Sequence, residues 1–285
     1  MNKEVILITG TSSGIGYQTA KLAAERGHFV IATAPSEALL KDVPENASLK
    51  LILDLCNEQT IAQALQTIKE KNITITCLIN NAGYAQPGPV ELVDDARLRK
   101  QFDVNVFGTM ALTRAVLPLL REQGKGRIIT LSSMLGLVSL PYQGVYAASK
   151  HALEALFEAL RMEVKDFGID VVLIEPGWIS TAFLKTAMAQ ASQQWMNDKA
   201  YGASLSKYFS ISTEAETDKP TGAAKIAAAM AGSPELVAQT IIRAMEAKTP
   251  KARYPVTAMA KWLPLLGRFL PTRVWDKMQT GQFAK

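Results

Sequence analysis

Short apolar segments alternate with longer amphipathic segments along most of the chain. The apolar segments are rich in Val, Ile and Leu and are typical of strands covered on both faces. Because strands that alternate with helices form βαβ units, this order predicts an α/β fold, a Rossmann-type doubly wound parallel sheet with helices on both faces. The predicted strands are VILIT (5–9), FVIAT (29–33), LKLILDL (49–55), ITCLIN (75–80), RIITLSS (127–133) and VVLIEP (171–176).

The clearest helices have apolar residues at spacings of three and four. Two of them end in glycine, VNVFGTMALTRAVLPLLREQG (104–124) and VYAASKHALEALFEALRMEVKDFG (145–168), and PELVAQTIIRAMEAK (234–248) begins with proline. Glycine at the end and proline at the start are ordinary helix boundaries.

The pattern loosens between residues 180 and 233, where Ala, Ser, Gln, Lys and Thr dominate and no strand is evident. We predict a helical excursion from the core here, and a last edge strand in RYPVTAM (253–259). No repeat or linker divides the chain, so a single domain over residues 1–285 is expected.

The composition is that of a globular protein and excludes several function classes. The chain has 285 residues, 48% of them hydrophobic, and a net charge of +5 from scattered Lys and Arg, so no nucleic-acid interface is predicted. Cys56, Cys77, His28 and His151 have neither disulfide nor metal-ligand spacing, so we expect free thiols and no metal site. The N-terminus reads as a strand and no apolar run reaches about 18 residues, so a cytoplasmic enzyme is predicted.

The segment TGTSSGIG (9–16) joins the first predicted strand to the first helix. Glycine there permits a tight turn and close backbone approach, and the free amides of a helix N-terminus attract a pyrophosphate. Gly10, Gly14 and Gly16 depart from the usual G-x-G-x-x-G spacing. Alone, the loop is only a weak indication of a dinucleotide site.

The end of the second predicted strand bears on which dinucleotide is bound. Folds that prefer NAD place an acidic residue there, whereas this chain has Ala34 and Pro35. Without that carboxylate the extra phosphate of NADP meets no repulsion, and Ser12, Ser13 and Ser36 have hydroxyls that can donate to it. NADP(H) is therefore favoured, and the lack of an arginine leaves NAD(H) open.

Two Tyr-Lys pairs have the spacing that places both side chains on one helix face: Tyr17 with Lys21, and Tyr146 with Lys150. An ammonium about 4 Å from a phenol, at an effective dielectric of about 20, favours the phenolate by about 4 kcal/mol. Before desolvation opposes this effect, the attraction can lower the phenol pKa by up to about three units, into the range of a general acid or base.

The surrounding residues separate the two pairs. Tyr17 and Lys21 lie inside the first helix, where the lysine is predicted to face solvent. Before Tyr146, Ser133 ends a strand at the edge where open α/β sheets bind ligands, and Asn105 interrupts VNVFG at the predicted start of a helix. The later pair, in YAASK, is therefore the predicted catalytic one.

Together these motifs resemble the short-chain dehydrogenase/reductase family. TGTSSGIG matches its glycine loop, NNAG (80–83) its motif after the fourth strand, and PGWIST (176–181) its PGxIxT segment. The match covers about residues 3–182 and resembles hydroxysteroid- and retinol-dehydrogenase-like members with an extended C-terminus. The four residues that match its catalytic tetrad are Asn105, Ser133, Tyr146 and Lys150.

The resemblance implies a seven-stranded parallel sheet and hydride transfer between nicotinamide and a carbonyl or secondary alcohol carbon. Tyr146 would transfer the proton, Ser133 would hold the substrate oxygen, Lys150 would lower the tyrosine pKa and bind the nicotinamide ribose, and Asn105 would hold a water of a proton path. Other members bind a dinucleotide as sensors or scaffolds with little catalysis, which is the alternative function. Besides Tyr146 and Lys150, the implied cofactor contacts are Gly10, Ser12, Ser13, Gly14, Ile15, Gly16, Asp54, Leu55, Asn81, Ala82, Gly83, Pro176, Gly177, Ile179 and Thr181.

Apolar residues around the predicted site indicate a lipophilic substrate, such as a steroid-like, retinoid-like or long-chain compound. Those beside the catalytic groups are Met134, Leu135, Leu137, Val138, Leu140 and Tyr142. In the segment 180–233, residues Phe183, Leu184, Met188, Trp195 and Met196 either form a lid over the pocket or pack that segment on the core.

The C-terminal extension, residues 255–285, combines apolar and basic residues. It permits three alternatives, namely docking onto the body of the protein, a contact in a homo-oligomer (dimer or tetramer), and peripheral contact with a membrane. The residues concerned are Lys261, Trp262, Leu263, Leu265, Leu266, Arg268, Phe269, Leu270, Arg273 and Lys277.

Overall fold

The computed structural model describes residues 3–180, 182–215, 217, 219 and 221–281. Its strands are β1 (Val5–Ile8), β2 (Phe29–Ala34), β3 (Leu49–Ile52), β4 (Cys77–Asn80), β5 (Gly126–Leu131), β6 (Ile169–Glu175) and β7 (Arg253–Pro255). They form one parallel sheet in the order β3-β2-β1-β4-β5-β6-β7. The predicted α/β fold is confirmed, and RYPVTAM supplies the edge strand.

Helices follow nearly every strand. Those of the described part of the chain are α1 (Gly14–Glu25), α2 (Glu37–Leu40), α3 (Glu58–Glu70), α4 (Asp95–Phe102), α5 (Thr109–Glu122), α6 (Gly144–Glu163), α7 (Ala182–Gln190), α8 (Gln193–Met196), α9 (Gly202–Glu214), α10 (Gly222–Met230), α11 (Pro234–Glu246), α12 (Ala258–Phe269) and α13 (Thr272–Gly281). None of these helices is long and apolar enough to cross a bilayer.

The sheet is covered on both faces by apolar helix surfaces. On one face α3, α5 and α6 contribute to a core that includes the fully buried Phe157. On the other face α1 and α11 pack together over a second core that includes Ile241. Burial on both faces explains why the strand sequences are apolar throughout instead of alternating.

The strand order leaves a crevice between β1 and β4. The chain runs from β1 outward to β3 and then returns to β4 on the other side of β1, so the connections after β1 and β4 lead to opposite faces. Open α/β sheets bind ligands at the carboxyl edge of such a point. TGTSSGIG and NNAG both lie there.

The helix predicted over residues 104–124 begins earlier than its apolar pattern indicates. It starts as α4, whose N-cap Asp94 accepts a hydrogen bond from the Arg97 amide at 2.9 Å. It then passes through a π-helical segment, Asp103–Gly108, into α5. The residues of α4 are mostly polar and half-exposed to exposed, so the apolar spacing did not reveal them.

The segment 180–233 is helical, as predicted, and its aromatic residues pack it onto the body. Trp195 is buried against Val93, Leu205 and Tyr208, and Met188 and Met196 pack against the same cluster. The sequence left open whether these residues form a lid over the pocket or pack the segment on the core. Trp195, Met188 and Met196 pack on the core. The side chains of Phe183 and Leu184 lie outside the described part of the structure.

Candidate active site

The loop after β1 requires glycine at three positions, because of backbone conformation at two of them and lack of space for a side chain at the third. Gly10 and Gly14 have φ of +69° and +57°, a region that favours glycine. A Cβ on Gly16 would lie 2.2 Å from the Gly10 carbonyl oxygen and 2.3 Å from Nδ2 of Asn81. The first turn of α1 can therefore approach the end of β1 closely.

The hydroxyl of Thr9 connects this loop to the one after β4. It accepts hydrogen bonds from the backbone amides of Asn81 and Ala82, both at 3.0 Å. In return, Nδ2 of Asn81 donates to the carbonyl oxygens of Thr9 at 2.8 Å and Gly10 at 3.0 Å. Thr9 is buried and was not predicted as a site residue; its place at the end of β1, beside the glycines, was the available signal.

A cavity of about 450 Å³ opens at this edge of the sheet. It extends from the glycine loop to the start of α6. Most of the predicted site residues line it: Gly10, Ser12, Ser13, Gly14, Ile15, Gly16, Asp54, Leu55, Asn81, Ala82, Gly83, Ser133, Tyr146, Lys150, Pro176, Gly177 and Ile179. Asn105 is not among the lining residues, and Thr181 lies outside the described ones.

The cavity fits a dinucleotide by its construction. At one end the bare glycine backbone and the N-terminus of α1 form a cradle that a Cβ would fill, which suits a pyrophosphate. At the other end lie the polar groups of Ser133, Tyr146 and Lys150. The lining residues that the sequence did not assign to the site are Pro35, Leu39, Leu53, Tyr84, Val104, Leu131, Ser132 and Thr186.

Among these additional lining residues, Tyr84 has a polar group whose hydrogen-bonding capacity is not used by the described residues. Its hydroxyl is buried and has no hydrogen-bond partner among the described residues. Burial, together with Cys56 and Asp103, raises its pKa to about 12. Its place directly after NNAG was the signal in the sequence.

Ser133 and Tyr146 meet at the carboxyl end of β5. Ser133 follows the strand and its hydroxyl accepts from the Leu135 amide at 3.1 Å, which caps the short 3₁₀ turn Met134–Gly136. Tyr146 lies in the first turn of α6, and its hydroxyl is hydrogen-bonded to Ser133. Both side chains are buried, so a substrate oxygen placed between them would be shielded from water.

The predicted lowering of the Tyr146 pKa is wrong for the protein groups alone. Burial raises the pKa of Tyr146 to about 12, although the hydrogen bond with Ser133 acts in the opposite direction. The phenolate loses its hydration in this site, and the Lys150 ammonium, 5.8 Å from the centre of the ring, does not offset that cost.

Lys150 is itself buried, one helical turn after Tyr146. Its Nζ donates to the carbonyl oxygen of Leu131, at the end of β5, at 2.7 Å. Burial lowers the pKa of Lys150 to about 8, and the negative charge of Glu154 opposes that change. The lysine is thus held at the cavity wall with an easily removed proton.

Glu154 links α6 to the far edge of the sheet. Nη1 of Arg253, in β7, donates to Glu154 and also to Glu175 in β6, the latter at 2.7 Å. Both glutamates are buried, and the second oxygen of Glu154 has no partner among the described residues. Charged side chains therefore extend from the buried Lys150 through Glu154 and Arg253 to the protein surface. There, the exposed Glu158 lies 3.4 Å from Arg253.

Asn105 lies behind the site, inside the π-helical segment. Its Nδ2 donates to the carbonyl oxygen of Tyr84 at 3.0 Å and to the Ser149 hydroxyl at 3.2 Å, and its Oδ1 accepts from the Tyr84 amide at 3.1 Å. Ser149 in turn donates to the carbonyl oxygen of Tyr146 at 2.7 Å. Asn105 therefore fastens the loop after β4 to α6, and the predicted water-holding role stays a prediction.

The other Tyr-Lys pair lies away from the cavity. Nζ of Lys21 is 3.9 Å from Glu25, and both side chains are half-exposed, as predicted for a solvent-facing lysine. Neither Tyr17 nor Lys21 lines the cavity. Tyr146 and Lys150 therefore line the cavity and Tyr17 and Lys21 do not, as the residues around each pair in the sequence indicated.

Comparison with known proteins shows which family shares these motifs. The family described as "short chain dehydrogenase" matches residues 4–192. The chain is 32% identical over 284 residues to an NADPH-dependent 3-dehydrocapnine reductase of Ornithobacterium rhinotracheale, covering 95% of this chain and 94% of that protein. It is 40% identical over 185 residues to a 3-ketodihydrosphingosine reductase of Bacteroides thetaiotaomicron, covering 64% and 66%.

The fold is similar to that of solved structures as well. A short-chain dehydrogenase from Streptomyces avermitilis superposes with a TM-score of 0.74 at 28% identity, covering 98% of each chain. The similarity therefore extends beyond the motifs to the helices that follow residue 180.

Proposed function

Because the chain belongs to the short-chain dehydrogenase/reductase family and is an NAD(P)-dependent oxidoreductase, we propose that it reduces a bulky apolar ketone to the secondary alcohol. The observation that carries the proposal is the buried Ser133–Tyr146–Lys150 arrangement at the end of a dinucleotide-sized cavity. A bound nicotinamide would supply the hydride.

The residues of this chain would hold the substrate oxygen and deliver its proton. Ser133 and Tyr146 donate hydrogen bonds to the carbonyl oxygen and stabilise the charge that develops on it. With a pKa of about 12, Tyr146 carries its proton throughout the neutral range, so the group that would donate is protonated when the substrate binds. Lys150, whose pKa is about 8, replaces that proton after transfer.

The apolar surroundings of Tyr146 support an apolar substrate, although the predicted wall residues Met134, Leu135 and Val138 pack behind the tyrosine and do not line the cavity. Tyr146 belongs to a buried cluster with Met134, Leu135 and Val138, against which Leu263 of α12 packs. Two relatives are named as reductases of 3-ketodihydrosphingosine and 3-dehydrocapnine, both oxidised at a carbon numbered 3. We infer a substrate with a single keto group on a mainly hydrocarbon skeleton.

The cofactor is proposed to be NADPH. No carboxylate follows β2 directly, where Ala34 and Pro35 stand, and Ser12 and Ser13 line the cavity. One relative is named NADPH-dependent.

The test is turnover of a carbonyl panel with NADPH and with NADH. Long-chain and polycyclic ketones with NADPH are expected to react fastest, and Tyr146→Phe is expected to lower kcat by about 10²–10⁴-fold, the usual contribution of a general acid. Tyr17→Phe is the matched control and is expected to retain full activity. Faster turnover of small charged ketoacids would exclude the substrate class, and an active Tyr146→Phe enzyme would exclude the mechanism.

A further inference from the structure

The C-terminal helices expose an apolar stripe. On α12 it consists of Trp262, Leu265, Leu266 and Phe269, at the spacing of one helix face, and Trp262 and Phe269 are 57% and 80% exposed. Val274 and Met278 of α13 are also about half exposed. Contiguous exposed apolar residues of this kind mark an interaction surface.

Packing of the tail on the body does not account for this stripe, because a different face of α12 contacts the body. Ala260 is buried, and Leu263 and Trp275 pack against the cluster that contains Tyr146. The docking onto the body that the sequence permitted is therefore present, and it leaves the stripe outside.

The charges around the stripe identify what it contacts. Lys261, Arg268, Arg273 and Lys277 are all exposed, and Asp276 is the single acidic residue of α12 and α13. Nζ of Lys261 lies 5.2 Å from the centre of the Trp262 ring. Apolar and aromatic residues flanked by basic ones are the composition of helices that lie in the interface of an anionic bilayer.

A second copy of this chain fits the surface less well. In a symmetric dimer the same patch occurs on both subunits, so four cations of one would face four of the other. Such like-charge contacts oppose association, whereas anionic headgroups neutralise them.

We propose that the outer face of α12 and α13 binds an anionic membrane surface. Trp262, Leu265, Leu266 and Phe269 enter the boundary between headgroups and acyl chains, and the four basic residues contact the headgroups. The inner face of α12 reaches the cluster around Tyr146, so the substrate end of the cavity lies about one helix diameter, roughly 10 Å, from the bilayer. This inference concerns a surface and holds whichever apolar substrate is reduced.

Co-sedimentation of the full chain with vesicles tests it. The protein is expected to sediment with vesicles of two parts phosphatidylcholine to one part phosphatidylglycerol, much less with pure phosphatidylcholine, and less at high salt. Replacing both Trp262→Glu and Phe269→Glu is expected to lower partitioning at least about tenfold. Lys261→Glu and Arg268→Glu are each expected to lower it about fivefold or more.

Met162→Glu is the matched control, since Met162 is similarly exposed but lies on α6. It is expected to sediment like the wild type, and unchanged thermal unfolding confirms that the variants fold. The proposal is overturned if the wild type stays in solution with anionic vesicles, or if the double variant binds as the wild type does. A double variant that turns a dimer into a monomer by light scattering, with no vesicle binding by the wild type, assigns the face to a second copy instead. Because sedimentation needs no turnover, this result is independent of the proposed reaction.

Discussion

Burial of two ionisable side chains four residues apart determines the chemistry of the site. It raises the pKa of Tyr146 from 10.0 to about 12 and lowers that of Lys150 from 10.5 to about 8. Between about pH 8 and 10.5 the unfolded chain holds the lysine proton that the folded chain has released, so the free energy of unfolding rises with pH there. From pH 10.0 to about 12 the tyrosine has the opposite effect, because the folded chain keeps its proton.

Glu154 is expected to keep the ammonium of Lys150 charged near neutral pH. Glu154→Gln removes the charge that raises the lysine pKa, so this pKa should fall below its wild-type value of about 8. The measurement is a pH titration of ¹³C-methylated lysines by NMR. Glu158→Gln is the control, because Glu158 also contacts Arg253 but is half exposed and does not act on Lys150. An equal change in both variants would contradict the assignment.

That Ser133, Tyr146 and Lys150 line one cavity could be predicted from the sequence, but the direction of the pKa shift of Tyr146 could not. Ser133, Tyr146 and Lys150 have fixed spacings and follow recognisable strand and helix patterns. The direction of the Tyr146 shift depends on how completely the site excludes water, which requires the apolar residues of α6, the 3₁₀ turn and α12 to be placed around it. The spacing of a tyrosine and a lysine in the sequence indicates the Coulomb attraction between them, whereas the desolvation that opposes it depends on the folded surroundings.

Among the elements, the π-helical segment between α4 and α5 gives the helix its close approach to the nucleotide end of the cavity. At Gly108 a Cβ would lie 2.3 Å from the carbonyl oxygen of Leu55, a lining residue. Apolar periodicity predicted a helix here but neither its start in α4 nor the extra residue in its turn. A π-segment is defined by backbone hydrogen bonds, and the sequence pattern carries little sign of it.

Gly108→Ala is therefore expected to be destabilising although alanine is the better helix former. The clash should cost about 1–3 kcal/mol in the free energy of unfolding, against a propensity gain of about 1 kcal/mol. Displacement of Leu55 should also weaken NADPH binding by about tenfold, measured by calorimetry. Gly267→Ala in α12 is the control, since a Cβ there meets only side chains, at 3.1 Å or more. Tighter NADPH binding by Gly108→Ala would refute this account.

Over the whole molecule, one arginine connects the last strand to the rest of the fold. β7 has only three residues and lies at the sheet edge, yet α12 with its exposed apolar stripe follows directly from it. Arg253 joins β7 to Glu175 of β6 and to Glu154 of α6. The side chains that hold the tail in place are therefore charged, and both glutamates are buried, which hydrophobic patterning does not predict.

Removing the positive charge of Arg253 leaves the buried carboxylates of Glu154 and Glu175 without the counterion that they share. Arg253→Met is expected to lower the free energy of unfolding by about 3 kcal/mol at neutral pH, the lower end for a broken buried pair because Arg253 is partly exposed. Burial already raises the pKa of Glu175 against the hydrogen bond from Arg253, so without the arginine Glu175 should take up a proton more readily. The folded variant then binds more protons than the unfolded chain. In urea unfolding, the loss of stability relative to the wild type should therefore shrink from about pH 7.5 to about pH 5.

The control is Arg161→Met, which loses only an exposed pair with Glu158 and should change the free energy of unfolding by less than about 0.5 kcal/mol. A deficit that is equal at both pH values would mean that Arg253 acts through packing and not through charge.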